Sequence, residues 1–463
     1  MQDSAAFGHG DPIAPVILGV TSILAFAVIG RVAARKLKQP TVLGELLMGI
    51  LLGNIGWYFG LDLITVLREG SRVFDVVNQA LTGMPLDVVA ATIFGAEKGP
   101  ELASIITGPG GGQVMQVAHA VDIFSRYGVI FLLFMVGLQT NLEEMRSVGR
   151  DSLFVAVIGV VMPVALGYVA VLLLRPEMTF NSSMFIAATL GATSIGISAN
   201  VLKEMDRSRS REGRIILGAA VGDDILGLVI LAVVSGIVVS GSVDYEEIIV
   251  VVFVSTLFLV AALQLGPAIV RMAAKIMRRL DIVEAKMFTS YLFVMVLAWM
   301  ANLAGLATII GAFAAGVVLR DSFFARHENA TGERVVSIRE LIMPLEVILV
   351  PIFFILMGMQ VKLESFFSWP VVTLAAGLLV AAVVGKLLCG FGARKNADKL
   401  VIGFGMLPRG EVGLVFAAIG QTLGVIDDSI FAAIVLMIFI TTLAAPPMLK
   451  IALSRQIRQT QSA

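Results

Sequence analysis

Cysteine, histidine and tryptophan are nearly absent from this chain, and charged residues are scarce. Among 463 residues there is 1 cysteine, Cys389, which excludes an internal disulfide. The 3 histidines, His9, His119 and His327, are far apart and lack the spacing of metal ligands. Only 15% of the residues are charged and 58% are hydrophobic, with a mean hydropathy of +0.93. This composition excludes a soluble globular domain and indicates an all-α polytopic membrane protein.

Long apolar runs fill most of the sequence. A run of about 20 apolar residues crosses the hydrocarbon core of a bilayer as a helix. By that rule we predict 13 transmembrane helices, the eighth and ninth with almost no loop between them. The predicted spans cover residues 14–32, 40–59, 123–139, 153–174, 182–203, 215–240, 246–270, 285–304, 305–319, 343–360, 370–393, 400–422 and 428–452.

Positive charge is distributed unevenly among the loops between these spans. The chain has 34 basic and 34 acidic residues, so its net charge indicates no nucleic-acid partner. The basic clusters at residues 31–38, 203–214, 271–286, 320–339 and 394–399 all fall on one side of the predicted topology. Because lysine and arginine accumulate in cytoplasmic loops, we predict an outer N-terminus and a cytoplasmic C-terminus.

Two segments of the first half recur in the second half. Residues 40–52 match residues 307–319, and residues 131–143 match residues 352–364. The shared positions are Thr41/Thr308, Gly44/Gly311, Gly49/Gly316, Gly137/Gly358, Gln139/Gln360, Leu142/Leu363 and Glu143/Glu364. The matched spans cross the membrane in opposite directions, so we predict an inverted-topology repeat of spans 1–6 and 8–13. This architecture is typical of secondary transporters, which bind their substrate between broken helices near the bilayer midplane.

Two spans carry the residues that interrupt a membrane helix. Span 5 contains Thr189-Leu-Gly-Ala-Thr-Ser-Ile-Gly, and span 12 contains Gly403-Phe-Gly-Met-Leu-Pro-Arg-Gly. Glycine, proline and small hydroxyl residues favour local unwinding, and the freed backbone groups then line a cavity or coordinate an ion. For span 5 the alternative is a face of small residues that packs against another helix.

Two adjacent aspartates, Asp223 and Asp224, lie inside span 6. A charge near the bilayer centre costs about 2.5–3.5 kcal/mol on insertion scales, so such carboxylates usually bind a cation, carry a proton, or do both. Lys386 lies in the middle of span 11, and a buried lysine and a buried aspartate each need a counter-charge. We expect Asp223 to pair with Lys386. Consecutive helical residues point about 100° apart, so Asp224 faces a different direction, toward a water-filled cavity.

This arrangement predicts competition between a proton and an alkali cation. Hard cations prefer oxygen ligands, which the two aspartates and the hydroxyl or backbone oxygens of Thr193 and Ser194 supply. If one site binds either a proton or a cation, and the protein reorients only when the site is occupied, this competition produces exchange of the two ions across the membrane. Lys386 can also release a proton when Asp223 turns toward the cation, since desolvated lysines titrate readily. No cofactor is required by this chemistry.

Three further charged residues within predicted spans are candidates for a supporting role at the site. Arg409 and Glu411, two residues apart in span 12, either pair with each other or neutralise the dipole ends of the broken helix. Glu45, near the inner end of span 2, either lines an entry funnel or is an interfacial charge.

Several motifs in order resemble those of the monovalent cation:proton antiporter family. They are Pro-Thr-Val-Leu-Gly-Glu-Leu-Leu-Met-Gly from Pro40, Ala-Thr-Ser-Ile-Gly-Ile at 192–197, Gly-Asp-Asp-Ile-Leu-Gly-Leu at 222–228, Gly385-Lys386, and Arg-Gly-Glu-Val-Gly-Leu at 409–414. That family includes bacterial sodium/proton antiporters and Kef-type potassium efflux systems. The resemblance covers nearly the whole chain.

The resemblance implies a core domain with two crossing discontinuous helices that moves against a dimerisation domain. The dimerisation domain corresponds to residues 1–139, with an outer insertion at 60–122, and to residues 243–368; the core corresponds to residues 140–242 and 369–463. In the aspartate-pair branch the residue matching Asp224 carries the ion and the proton, and the residue matching Asp223 pairs with the one matching Lys386. That branch is similar to electrogenic sodium (or lithium) exchangers, which are homodimers in the bacterial inner membrane and not enzymes.

Other functions remain open from the sequence. Potassium/proton exchange and Kef-like potassium efflux depend on cavity geometry that a sequence does not give. The insertion at 60–122 is longer than the family pattern, and we expect no regulatory nucleotide-binding domain after span 13. A channel and a non-transporting membrane sensor are the alternatives from other classes.

Overall fold

The computed structural model describes residues 11, 13–37, 39–139, 149–208, 210–240, 245–324, 336–394 and 396–461. All regular structure in these ranges is helical, with no strand. The α-helices are α1 (Ala14–Lys36), α2 (Thr41–Tyr58), α3 (Asp62–Arg68), α4 (Arg72–Leu81), α5 (Leu86–Thr107), α6 (Gly111–Gln139), α7 (Arg150–Leu174), α8 (Phe180–Ala188), α9 (Ile195–Glu204), α10 (Arg211–Ser240), α11 (Tyr245–Ile276), α12 (Ile282–Leu303), α13 (Thr308–Val318), α14 (Ile338–Met359), α15 (Trp369–Cys389), α16 (Lys399–Gly405), α17 (Glu411–Thr422) and α18 (Asp428–Gln461). Short 3₁₀ helices follow α11, α13, α14 and α15.

Ten of the described helices are long and apolar enough to cross a membrane: α1, α2, α6, α7, α10, α11, α12, α14, α15 and α18. They correspond to ten of the thirteen predicted spans. The remaining predicted spans, 5, 9 and 12, correspond to shorter helices: the pair α8 and α9, the single helix α13, and the pair α16 and α17. The count of thirteen crossings therefore stays a prediction.

The two interrupted spans break where the sequence supplies residues that disfavour a continuous helix. Helix α8 ends at Ala188 and α9 begins at Ile195, with the segment Thr189–Ser194 between them. Helix α16 ends at Gly405 and α17 begins at Glu411. Pro408 lies in this second gap, where it provides no amide hydrogen and restricts the residue before it. The Asp398 carboxylate caps the start of α16 by accepting from the amides of Leu400 and Val401.

The chain divides into two compact units. Unit 1 comprises Met1–Gly128 and Val347–Leu363, and unit 2 comprises Val129–Glu346 and Glu364–Ala463. The boundary passes through α6 and α14. In unit 2, α7 packs along α15 and also contacts α8 and α10. A buried cluster that includes Ala156, Ile216, Ile402 and Leu453 fills the space between α7, α10, α16 and α18.

The outer insertion at 60–122 forms α3, α4, α5 and the start of α6, all in unit 1. A buried ion pair holds it to the residues after α14: the Lys362 amine lies 2.8 Å from both carboxylate oxygens of Glu69. Asn54 of α2 joins the same region, since its amide donates to the Val361 carbonyl and its oxygen accepts from Arg68. These hydrogen bonds and the ion pair connect the insertion to the C-terminal ends of α2 and α14.

Close helix crossings in each unit occur at glycine pairs. In unit 1, a Cβ atom added at Gly49 of α2 would overlap the Ile355 carbonyl oxygen, and one added at Gly358 of α14 would overlap the Leu46 carbonyl oxygen. In unit 2, a Cβ atom at Gly316 of α13 would overlap the Phe134 carbonyl oxygen of α6, and one at Gly137 would overlap the Phe313 carbonyl oxygen. Only glycine permits backbones to approach so closely.

Candidate functional site

A fully buried ion pair joins α10 to α15 inside unit 2. The Lys386 Nζ atom lies 3.1 Å from Oδ1 and 3.1 Å from Oδ2 of Asp223, and both side chains are 0% exposed. The third bond of the amine goes to the Gly191 carbonyl at 2.8 Å, within the gap between α8 and α9. An ammonium group has three donors, so these three acceptors satisfy it. The pairing expected from the sequence is therefore present, and it includes an acceptor that the sequence did not indicate.

The interrupted helices lie against each other beside this pair. The Ser194 amide donates to the Pro408 carbonyl at 2.8 Å, which links one gap directly to the other. The Thr193 hydroxyl donates to the Met406 carbonyl at 3.2 Å, and the Ser198 hydroxyl donates to the Gly405 carbonyl. The last carbonyls of α16 thus obtain donors from the neighbouring interrupted span. Such partners are required, because a helix end buried in a membrane has no water to satisfy it.

Arg409 provides the reciprocal contact. Its side chain is 0% exposed, and Nη1 donates to the Ala192 carbonyl at 3.2 Å and to the Thr189 carbonyl at 3.5 Å. A cation at these carbonyls balances the negative end of the α8 dipole. Its Nε and Nη2 have no hydrogen-bond partner among the described residues. Of the two roles expected for Arg409, this geometry is that of a charge at a dipole end.

The remaining predicted site residues fall into three groups. Thr193 and Ser194 are buried in the gap between α8 and α9. Asp224, the next residue along α10, is 6% exposed and points in a different direction from Asp223. Glu45 lies in unit 1, where its carboxylate pairs with the Arg31 Nε atom at 2.7 Å. The side chain of Glu411, at the first position of α17, lies outside the described part of the structure.

Sequence reasoning also missed Gly159, which lies beside the buried pair. A Cβ atom added at Gly159 of α7 would lie 3.7 Å from Lys386 Nζ and 3.8 Å from Asp223 Oδ1. The backbone of α7 therefore forms a wall of the buried pair. The signal was available in principle, because Gly159 and Pro163 are an unusual combination within an apolar span.

The groups around the buried pair are oxygen donors and cations. Within the described ranges no cluster of three or more His, Cys, Asp or Glu side chains is placed to hold a metal ion. The available oxygen donors are two carboxylates, hydroxyl groups and backbone carbonyls at the helix gaps. Two buried cations, Lys386 and Arg409, offset the charge of the carboxylates. Oxygen atoms of these kinds are the ligands that hard cations prefer.

Comparisons with known proteins show what this chain is similar to. The family described as "Sodium/hydrogen exchanger, transmembrane" matches residues 80–455. The protein named "High-affinity Na(+)/H(+) antiporter NhaS3", from Synechocystis sp., is 34% identical over 448 residues, with 95% of this chain and 90% of that protein covered. The "Na(+)/H(+)-K(+) antiporter GerN" of Bacillus cereus is 34% identical over 360 residues, with 76% of this chain and 88% of that protein covered.

A solved structure shares the fold. The sodium proton antiporter MjNhaP1 of Methanocaldococcus jannaschii superposes with a TM-score of 0.58 at 16% sequence identity, with 95% of this chain and 96% of that chain covered. At this level of identity the likeness concerns the arrangement of the helices.

Proposed function

This chain belongs to the sodium/hydrogen exchanger family, and we propose that it exchanges sodium or lithium ions for protons across a membrane by alternating access. The family consists of transporters, and the ten apolar helices make the chain an integral membrane protein. The observation that carries the proposal is the buried Asp223–Lys386 pair, placed beside two interrupted helices with Asp224 as its neighbour.

In the proposed cycle, Asp224 carries either a proton or the cation. Burial disfavours the charged form of a carboxylate and a bound cation favours it, so each load displaces the other. When the cation binds, Asp223 turns toward it, and oxygens of Thr193 and Ser194 complete the ligand set. The proton and the cation share one site. If the core reorients only when the site is occupied, the two ions move in opposite directions.

The charge of the buried set makes this exchange electrogenic. Two carboxylates, Asp223 and Asp224, face two cations, Lys386 and Arg409. With sodium bound and a proton released from Lys386, the whole set is neutral. With Asp224 protonated and Lys386 charged again, the set carries one positive charge. The two loaded states differ by one charge, so the membrane potential drives the cycle.

Potassium/proton exchange is the second candidate. It is favoured by one specific finding, the name of the Bacillus cereus relative, which includes potassium as well as sodium. The same carboxylates and gap carbonyls would bind either ion, because both are hard cations that take oxygen ligands.

We further propose that thirteen spans form an inverted repeat of spans 1–6 and 8–13. The glycine crossings support this symmetry. Gly49 and Gly358 approach one another through the carbonyls of Leu46 and Ile355, and their repeat equivalents, Gly316 and Gly137, do so through the equivalent carbonyls of Phe313 and Phe134. An inverted repeat requires that each crossing have such a counterpart.

We also propose a domain arrangement and an orientation in the membrane. Residues 140–242 and 369–463 form the moving core, and residues 1–139 and 243–368 form the dimerisation domain of a homodimer in the inner membrane of a bacterial cell. The N-terminus lies outside and the C-terminus in the cytoplasm.

The deciding experiment measures proton flux in proteoliposomes with an imposed pH gradient. Na⁺, Li⁺ or K⁺ is added to the wild type, Asp224→Asn, and Asp122→Asn as a matched control. Asp122 pairs with Arg126 one turn away on α6, and its replacement removes a carboxylate of the same type. We expect each active cation to collapse the gradient in the wild type and in Asp122→Asn, and no collapse in Asp224→Asn.

The outcomes separate the candidates. Collapse by Na⁺ and Li⁺ alone supports sodium exchange, and collapse by K⁺ supports the second candidate. A wild type that moves no protons in response to any of the three cations would show that the protein is not an exchanger. Retention of exchange by Asp224→Asn would remove Asp224 from its proposed role.

A further inference from the structure

Pro163 lies one turn after Gly159 on the side of α7 that packs against α15. A Cβ atom added at Gly385 would lie 2.6 Å from Pro163 Cα and 2.7 Å from its Cγ, so the two helices touch at this turn. One turn back, a Cβ atom added at Gly159 would lie 3.4 Å from Cys389 Cβ, 3.7 Å from Lys386 Nζ and 3.8 Å from Asp223 Oδ1. The same stretch of α7 therefore contains a proline and borders the buried ion pair.

The proline changes the hydrogen bonding of this stretch. In an α-helix the amide of residue 163 donates to the carbonyl of residue 159, but proline has no amide hydrogen. The Gly159 carbonyl therefore lacks its helical donor. Inside a membrane such a carbonyl requires a donor from another segment. The Lys386 amine lies 3.7 Å from the position that a Cβ atom of Gly159 would occupy, and an amine is a donor of the required kind.

Lys386 in turn needs an acceptor at one stage of exchange. Its three bonds go to the Gly191 carbonyl and to the two oxygens of Asp223. In the proposed function Asp223 turns toward the cation, which takes away two of these three acceptors. The amine retains N–H groups whether or not it has released its proton, so it needs a new acceptor in either case.

We propose that the Gly159 carbonyl, released from helical hydrogen bonding by Pro163, accepts a hydrogen bond from Lys386 in the cation-loaded state. Pro163 is then a positioning residue of the exchanger, and it acts through a backbone atom of another residue. The inference rests on the proposed function, since it concerns the step in which the cation takes Asp223 from the lysine.

Two substitutions separate the missing amide from the packing of the proline ring. Pro163→Ala and Pro163→Val both restore the amide hydrogen, but valine has as many side-chain carbons as proline and retains γ-carbons to pack against Gly385. Pro267→Ala is the matched control, because Pro267 also lies inside an apolar helix, α11, that carries none of the site residues. All variants are compared with the wild type in proteoliposomes over a range of sodium concentrations.

We expect the apparent KM for sodium to rise about fivefold to tenfold in both Pro163 variants, the effect of losing one hydrogen bond to an amine. The maximal rate stays within about twofold of the wild type, because the proton-loaded state does not use this acceptor. Pro267→Ala retains the wild-type KM. A second readout without transport is the sodium concentration that gives half of the sodium-induced rise in melting temperature, which shifts by the same factor.

Each of the following results would overturn the inference. A wild-type KM in Pro163→Val would show that only packing matters at this position. A fall in maximal rate with unchanged KM in both variants would assign Pro163 to helix movement. A wild type without sodium-dependent proton flux would overturn the proposed function and this inference together, whereas an active wild type with unaltered variants overturns this inference alone.

Discussion

The ion pair between Asp223 and Lys386 stabilises the fold only while both partners are present. Both side chains are fully buried, and the remaining partner of the amine is one carbonyl. Removal of one member leaves an uncompensated charge in a low-dielectric interior, which costs about 3–5 kcal/mol, whereas replacement of both by apolar residues is often neutral.

We therefore expect Asp223→Asn and Lys386→Met each to lower the melting temperature of the detergent-solubilised protein strongly, and the double variant to melt closer to the wild type than either single one. Thermal unfolding followed by fluorescence-detected size-exclusion chromatography provides the comparison. If the losses of the single variants simply add in the double variant, the two residues are not energetically coupled.

The sequence predicted this pair but not the other partners of its residues. A buried charge requires an opposite charge. Predicted span 6 offers only two carboxylates as partners for Lys386, Asp223 and Asp224. Its bond to the Gly191 carbonyl and the bonds of Arg409 to Ala192 and Thr189 follow no such rule. Every residue has a backbone carbonyl, so only the folded geometry identifies which carbonyl accepts the hydrogen bond. Arg31, the partner of Glu45, is one of 4 basic residues at 31–38, and only the folded geometry identifies which of them pairs.

At the scale of helices, close crossings depend on glycine. A side chain at Gly316 would overlap the Phe134 carbonyl and the backbone of Gly137. We expect Gly316→Ala to destabilise the protein by about 1–3 kcal/mol through overpacking. Gly196→Ala is the matched control, since this glycine in the first turn of α9 has open space around it and an added methyl group should change the stability little. Equal melting temperatures for the two variants would contradict the importance of the crossing.

The ends of the interrupted helices depend on hydroxyl groups. The Ser198 hydroxyl supplies a donor to the Gly405 carbonyl at the end of α16. We expect Ser198→Ala to cost about 1–3 kcal/mol, because the carbonyl is left buried without this donor. Thr373→Ala should be nearly neutral, since the Thr373 hydroxyl is bonded to carbonyls of its own exposed helix surface. Comparison of the melting temperatures of the two variants tests the difference.

Helix positions were more predictable than helix ends. Apolar runs located the ten long helices, and Pro408 with its neighbouring glycines located the gap between α16 and α17. Helix α6 begins at Gly111, before the predicted start of span 3 at residue 123, and continues through polar residues such as Gln113 and Gln116. Polarity ends an apolar run without ending a helix, so the sequence pattern underestimated this element.

At the scale of the whole molecule, the proposed orientation is open to direct chemical labelling. Cys389 is the only cysteine and is 0% exposed, so a membrane-impermeant thiol reagent should not label the wild type. We expect Glu177→Cys, in an exposed loop between α7 and α8, to be labelled on intact cells. Asn396→Cys, in the loop before α16, should be labelled only after permeabilisation. The reverse pattern would invert the proposed topology.

The reciprocal bonds between the two interrupted spans have a consequence for biosynthesis. The partners Arg409–Ala192, Thr193–Met406 and Ser198–Gly405 are 217, 213 and 207 residues apart in the chain. At translation rates of about 5–20 residues per second, the gap between α8 and α9 is in the bilayer for roughly 10–40 seconds before the gap between α16 and α17 is synthesised. During that interval the ends of α8 and α9 lack their final donors and acceptors. A nascent chain that stalls before residue 406 therefore exposes polar backbone to lipid, which makes it a substrate for membrane quality control.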